Sequence, residues 1–300
     1  VLTRWGRVDV YHQALAAADN EFAIWKAESV KFDLDHPLKV LSLGAGVQST
    51  TLALMAAAGE VELPDCAIFA DTGWEPRAVY EHLNRLEAAL PFPVHRVSAG
   101  NLRDDTIKQN TTTRSAGRFS AIPWFMLNGM GRRQCTAHYK IEPLTKKMRA
   151  LVGAVPRQRL PHDCVEVWIG ISTDEAARMK PSRNRWQKHI WPLIDRGMSR
   201  WDCLRWLEAH GWSAPKSSCI GCPFHSDAIW RDMRNNAPDE WADAVMIDRI
   251  IRDGGTARGM RSQQFMHRSC LPLDQVDLST AEDRGQGNLF NMECEGMCGV

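Results

Sequence analysis

Two groups of residues in this chain have the types and spacing that chemistry needs. The first is Ser42-Leu43-Gly44-Ala45-Gly46-Val47-Gln48-Ser49-Thr50, where paired glycines lie between a short apolar run and a helix-forming run. Glycines let backbone approach a phosphate closely. A helix start presents unpaired N–H groups and partial positive charge, and Ser42, Ser49 and Thr50 add hydroxyls. This is not a Walker loop, because no Gly-Lys-Ser/Thr follows at the required spacing. Gly44-x-Gly46-x-x-Ser49 also approaches a dinucleotide fingerprint without its third glycine, with Asp71 near the place of a ribose-binding acid. A strand-to-helix turn with no ligand is the third reading.

The second group is made of cysteines. Cys219-Ile220-Gly221-Cys222-Pro223 has the spacing at which two thiolates grip one metal ion or one cluster. The same spacing serves a redox dithiol, although Pro215 and Ser217-Ser218 do not provide the strand that such a motif follows. Two buried structural cysteines are the plain alternative. Zinc and iron–sulfur are not separable from cysteines alone. Cys294 and Cys298, in Glu293-Cys294-Glu295-Gly296-Met297-Cys298-Gly299, are either tail nucleophiles or incidental thiols. Arg178, Lys180, Arg183, Arg185 and Lys188 form a basic run that suits phosphate or sulfate. Trp186 and Trp191 are interleaved with it and could stack on bases; a solvated basic face is the alternative. Arg132 and Arg133 stand beside Cys135.

The elements that must position these groups follow from periodicity. Residues 8–30 have helical spacing. Leu38–Leu43, Cys66–Ala70, Pro93–Val97 and Val165–Ile171 read as strands, and 49–58 and 75–90 as helices. Strands alternating with helices imply an α/β fold, a Rossmann-like parallel sheet with helices on both faces. Ligands on such sheets lie at the C-terminal ends of strands, where the glycine loop and Asp71-Thr72-Gly73 both fall. From about residue 172 the texture changes to short helical pieces with dense Trp, Pro and Cys. The expected organisation is a helical extension over 1–36, a nucleotide-binding α/β domain over 37–200, and a smaller helical, cysteine-bearing region and tail over 201–300.

These motifs carry a resemblance. Ser-x-Gly-x-Gly-x-x-Ser-Thr after a strand resembles the PP-loop of the ATP pyrophosphatases, usually SGGxDS, with Gln48 where many members carry Asp. That superfamily includes phosphoadenylyl-sulfate (PAPS) reductases, tRNA-thiolating enzymes and the enzymes of DNA phosphorothioation. Phe69-Ala70-Asp71-Thr72-Gly73-Trp74-Glu75 resembles the second-strand motif of the PAPS reductases, which lies beside adenosine. Cys135-Thr136-Ala137-His138-Tyr139-Lys140-Ile141-Glu142-Pro143-Leu144 resembles a segment of adenylyl-sulfate reductases that binds a [4Fe-4S] cluster together with a later C-x-x-C. Gly170-Ile171-Ser172-Thr173-Asp174-Glu175 and Arg178 resemble a further reductase segment, with Ser172 replacing its arginine. The tail around Cys294 and Cys298 resembles the Glu-Cys-Gly nucleophile of the PAPS reductases.

The resemblance implies an enzyme that splits ATP between its α and β phosphates, adenylates an acceptor, and delivers sulfur at a cluster. It implies that Ser42, Gly44, Ala45, Gly46, Gln48, Ser49, Thr50, Ala70, Thr72 and Gly170 hold the nucleotide, with Asp71 near adenosine or Mg2+. Cys135, Cys219 and Cys222, with Cys203, Cys294 or Cys298 as the candidate fourth and Cys294 the first choice, would hold the cluster, or zinc in its place. Three cysteines alone would leave one iron open to hold sulfur. Lys140 and Arg178 would stabilise developing charge. A nucleic acid is one candidate acceptor, and a sulfur-donor protein a candidate partner. A PAPS or adenylyl-sulfate reductase is the second implied activity, and a non-catalytic nucleotide- or nucleic-acid-binding module the third reading.

Bulk properties agree with a soluble, cytoplasmic protein as the expectation. Hydrophobic residues make up 44% and charged residues 24%, with a net charge of +1, so general nucleic-acid binding by overall charge is disfavoured while a local basic groove stays open. No stretch approaches the roughly 18 apolar residues of a membrane span, and no signal-peptide core follows the first residues. In the cytoplasm nine cysteines favour metal or redox chemistry over a disulfide framework.

Overall fold

The computed structural model describes residues 36–111, 122–257, 262–279 and 283. The helix expected over 8–30 and the tail cysteines Cys294 and Cys298 lie outside the described residues.

Leu38–Ser42 forms β1, Cys66–Asp71 β2 and Val94–Ser98 β3. Phe125–Met126 and Gly129–Met130 are a small hairpin, β4 and β5; Val165–Ile169 is β6 and Gln187–Ile190 is β7. Five of these make one parallel sheet in the order β3-β2-β1-β6-β7. The sheet is the α/β, Rossmann-like architecture read from the sequence. Its inner strands are near-continuous apolar runs because helices cover both faces: Val40 and Leu41 of β1, and Ala67 and Ile68 of β2, are fully buried.

The helices are α1 (Val47–Ala57), α2 (Arg77–Ala89), α3 (Leu102–Thr111), α4 (Glu142–Leu151), the short α5 (Pro192–Asp195), α6 (Arg200–Ala209), α7 (Asp227–Asn236) and α8 (Pro238–Ala257). A turn of π-helix, Thr136–Ile141, runs directly into α4. One core cluster packs α1, α2 and α6 against the sheet through Leu52, Leu83 and Leu207. A second gathers Val40, Ile68, Met148 and Val167 on the other side. A third, with Trp124, Tyr139, Trp230 and Ile247, knits α7 and α8 to Trp74 and Leu102. The cysteine-bearing stretch is therefore interleaved with the α/β layer: Cys203 of α6 is buried in the same cluster as Leu52 of α1.

The chain runs β1, β2, β3 outward in one direction, then returns to place β6 on the other flank of β1. The resulting crevice between the ends of β1 and β6 is the switch point at which open α/β sheets take ligands. The strand β7 was not anticipated. Its polar sequence Gln-Lys-His-Ile belongs to an edge strand, and it uses part of the run read as a basic segment. Trp186 is buried in a core cluster and Trp191 packs against it, so neither stands as a base-stacking platform. Among the described residues no helix is long and apolar enough to cross a membrane.

Candidate active site

The glycine loop joins β1 to α1 at that switch point. Gly46 is the N-cap of α1 in extended conformation and offers no side-chain cap, so the first-turn N–H groups are left for another acceptor. Ala45, fully buried, takes φ of 54°, a left-handed conformation unusual for a residue with a Cβ. Ser49 braces the loop: its Oγ accepts from Gly44 N at 3.2 Å and donates to the Gly46 carbonyl at 3.3 Å. Gly170, just past β6, touches the same turn. A Cβ there would lie 2.8 Å from Ser49 N and 3.0 Å from Ser49 Cα, so only glycine allows this approach.

An open cleft lies over the loop. Ser42, Gly44, Gly46, Gln48, Ser49, Ala70 and Gly170, all assigned to the nucleotide by the resemblance, line it. Its charged walls are Lys140, Glu175, Arg178, Arg200 and Lys216, four cations against one carboxylate. Arg178 pairs with Glu175 at 2.6 Å. Arg200 and Lys216 were not anticipated from the sequence; nothing local in their segments marks them, and only the fold brings them to the loop. Ser217 covers the loop closely, its Oγ 2.6 Å from where a Cβ on Gly46 would stand.

Three residues that the resemblance assigned to the nucleotide make contacts of other kinds. Thr50 is fully buried and its Oγ1 pairs with His82 Nε2 at 2.9 Å, while its N–H donates to the Gly46 carbonyl. Helical periodicity turns this hydroxyl into the core. Asp71 Oδ1 accepts from Gly73 N at 2.7 Å and from Tyr80 Oη at 2.8 Å, fixing the turn after β2, and Asp71 is not among the cleft walls. Thr72 belongs to the cysteine cavity instead.

That second, smaller cavity collects Cys135, Cys219 and Cys222 with Ile122, Pro223 and Phe224. The Cys219–Cys222 loop is pinned to the segment after β2 by Ile220 N donating to the Trp74 carbonyl at 2.9 Å. A Cβ on Gly221 would strike the Trp74 ring at 2.0 Å, so this loop also needs its glycine. Arg133 stacks over Phe224 at 5.1 Å on the cavity wall. Cys203 is elsewhere, fully buried against α1, with its thiol pushed up to about 11 by burial; it cannot be a fourth ligand here.

Behind the cysteines stands Glu75, which the sequence gave no role. Its side chain is 2% exposed. Oε1 accepts from Thr72 Oγ1 at 3.0 Å and from Cys219 Sγ at 3.6 Å, and lies 3.4 Å from Lys140 Nζ. Oε2 has no hydrogen-bond partner among the described residues. Three soft thiol donors on one apolar cavity suit iron–sulfur or zinc. As placed, no three His, Cys, Asp or Glu side chains among the described residues converge at metal-holding spacing, so holding such a group would require the thiols to be brought into that spacing.

No family model matches the chain, and no curated protein matches it. Among solved structures it is similar to a phosphoadenylyl-sulfate (PAPS) reductase from Candida auris determined as a phosphate complex. The identity is 12% and the TM-score 0.41, over 60% of this chain and 75% of that one. A likeness of that size is too slight to establish family or activity. What the site can do must be read from its own residues. The cleft presents helix N–H groups and a surplus of cations, a setting for phosphate. The adjoining cavity presents thiols. Thr136 and Lys140 line both.

Proposed function

We propose that this chain is a PP-loop enzyme of the PAPS reductase-like kind that binds ATP in the cleft and cleaves it to AMP and pyrophosphate while adenylating an acceptor, with sulfur transfer at the adjoining cysteines. The shared wall is the observation that carries this reading: Thr136 and Lys140 border both the phosphate-type cleft and the cavity of Cys135, Cys219 and Cys222. An acceptor activated in one compartment would lie next to thiol chemistry in the other.

The acceptor attacks the α-phosphorus, an acceptor–phosphorus bond forms, and the bond to the bridging oxygen breaks, so that pyrophosphate leaves with the electron pair. Negative charge grows on the leaving group, which the α1 N-terminus, Arg178 and Lys140 are arranged to offset. Mg2+ would accompany the phosphates. Cys135, Cys219 and Cys222 would hold a [4Fe-4S] cluster, with zinc as the alternative, through thiols whose chemistry suits either. When bound, such a cluster supplies an iron that can hold the sulfur to be delivered. The acceptor class includes nucleic acids, and a donor protein would replenish the sulfur.

The test is equilibrium binding of ATP to the full chain, purified without oxygen, beside iron, zinc and absorption measurements. ATP binding should weaken about tenfold in Ser49→Ala, which unbraces the loop. Absence of ATP binding by the parent protein, or sulfite release from PAPS with no ATP added, overturns the adenylating reading in favour of a sulfonucleotide reductase.

A further inference from the structure

The cleft holds one polar chain with an order to it. Gln48 Oε1 accepts from Arg200 Nη1 at 3.1 Å. Gln48 Nε2 donates to Glu175 Oε2 at 3.2 Å and to Ser172 Oγ at 3.4 Å. Glu175 Oε1 in turn accepts from Arg178 Nη1 at 2.6 Å. Gln48 is thus a buried amide between a guanidinium and a carboxylate, with a second guanidinium beyond. Its orientation is dictated by its neighbours: the carboxylate must meet the NH2 group, which leaves the oxygen for Arg200.

Few other side chains can take that place. A carboxylate at position 48 would meet the Glu175 oxygen with like charge, and a cation would meet Arg200 the same way. An apolar residue would leave both partners short of a hydrogen bond in a half-buried site. Arg200 is also anchored at its backbone. It is the first residue of α6, whose start is fixed by the Ser199–Asp202 capping box, and its N–H donates to Asp174 Oδ1 at 2.7 Å. Backbone and guanidinium are therefore both held, over a loop whose remaining charged walls are Lys140, Arg178, Lys216 and Glu175.

We propose that Arg200 is a phosphate-binding residue of this cleft and that Gln48 is its positioning residue, the amide setting the guanidinium against a di- or triphosphate. The proposal rests on the reading that the cleft takes a nucleotide polyphosphate. It assigns a role to Gln48 that a bare loop contact does not: the residue acts through Arg200.

Affinities of the full chain for ATP, pyrophosphate and AMP, at one ionic strength, test it. Arg200→Ala should weaken ATP and pyrophosphate by about tenfold or more, the loss expected of a charge-assisted hydrogen bond, and should change AMP less. Gln48→Glu should weaken both polyphosphates. The exchange variant Gln48→Glu with Glu175→Gln restores an amide facing a carboxylate and should recover at least half of that loss on a logarithmic scale, with AMP affinity nearly level throughout, a selectivity that a merely structural role would not produce. Gln48→Ala should cost little further affinity in the Arg200→Ala background, because the two act as one unit. If Arg200→Ala does not fold, Arg200→Gln, which keeps a donor without the charge, serves in its place. Parent protein that binds neither ATP nor pyrophosphate sinks the nucleotide reading itself. Parent protein that binds them, with Arg200 variants within twofold of it or no recovery in the exchange variant, overturns this inference alone.

Discussion

Lys140 Nζ stands 3.4 Å from Oε1 of Glu75, a carboxylate that is almost wholly buried. The pair joins the two compartments, because Lys140 borders both the cleft and the cysteine cavity while Glu75 touches Thr72 and Cys219 from behind. Burying a carboxylate costs several kcal/mol unless a cation and hydrogen bonds repay it. Lys140 is thus a structural counter-ion as well as a wall of the site. Glu75→Ala should destabilise the protein by about 3 kcal/mol, the scale for removing one partner of a buried pair, and Glu75→Gln by less, since it keeps the Thr72 contact. Chemical denaturation of the three proteins checks this. Equal stability of Glu75→Ala and the parent would show that the pair carries no weight.

Gly170 is the tightest point between β6 and the phosphate loop. Both atoms that a Cβ would crowd, Ser49 N and Cα, are backbone at the start of α1, so relief must come from moving the loop. Gly170→Ala is expected to cost about 1–3 kcal/mol of stability by overpacking and to lower ATP affinity more than Ser49→Ala does. Melting temperature and ATP titration together read both effects. An ATP affinity equal to that of the parent would mean that the loop position is not held from β6.

Cysteine reactivity should divide by place. Cys135, Cys219 and Cys222 share one cavity, whereas burial holds Cys203 protonated, pushed up to about 11, inside the core. Replacement of any of the cavity cysteines by Ser should lower bound iron or zinc, and Cys203→Ala should leave it unchanged while costing about 1 kcal/mol for the small void. Metal analysis with thiol titration decides it. Metal lost from Cys203→Ala but retained in Cys219→Ser would reverse the assignment.

Stability should depend on pH through His82. Burial, with Arg85 nearby, lowers its pKa from 6.5 to about 4, and it pairs with Thr50 as a neutral ring. Between those values the unfolded chain binds more protons than the folded one, so stability rises with pH. The contribution is complete above about 6.5 and is lost as pH falls towards about 4. His82→Gln, which cannot titrate, should make that part of a urea-denaturation profile less steep from pH 7.5 to about 4.5, while His225, also lowered to about 4 by burial, keeps the remainder. An unchanged profile would exclude His82 as a contributor and leave His225 as the source.

Much of this protein was legible in the sequence because the signals are local. Apolar runs of strand length, a glycine pair before a helix, and a C-x-x-C are contiguous, and backbone sterics and side-chain periodicity act over a few residues. They led to the α/β class and to the glycine loop of Ser42, Gly44, Gly46 and Ser49, whereas the grouping of Cys135 with Cys219 and Cys222, more than eighty residues on, came from the family resemblance and not from any local signal. The edge strand β7 escaped because an edge needs no apolar pattern. That Asp71 meets Tyr80 and Thr50 meets His82 was not legible either, because such pairings depend on segments that only the fold brings together. Arg200, Lys216 and Glu75 were invisible for the same reason: an arginine, a lysine and a glutamate in ordinary surroundings gain meaning only when a distant segment arrives beside them. Local sequence thus determined which chemistry the chain carries. Tertiary packing decided which groups are placed to use it, because burial and proximity are properties of the folded neighbourhood and not of any one segment.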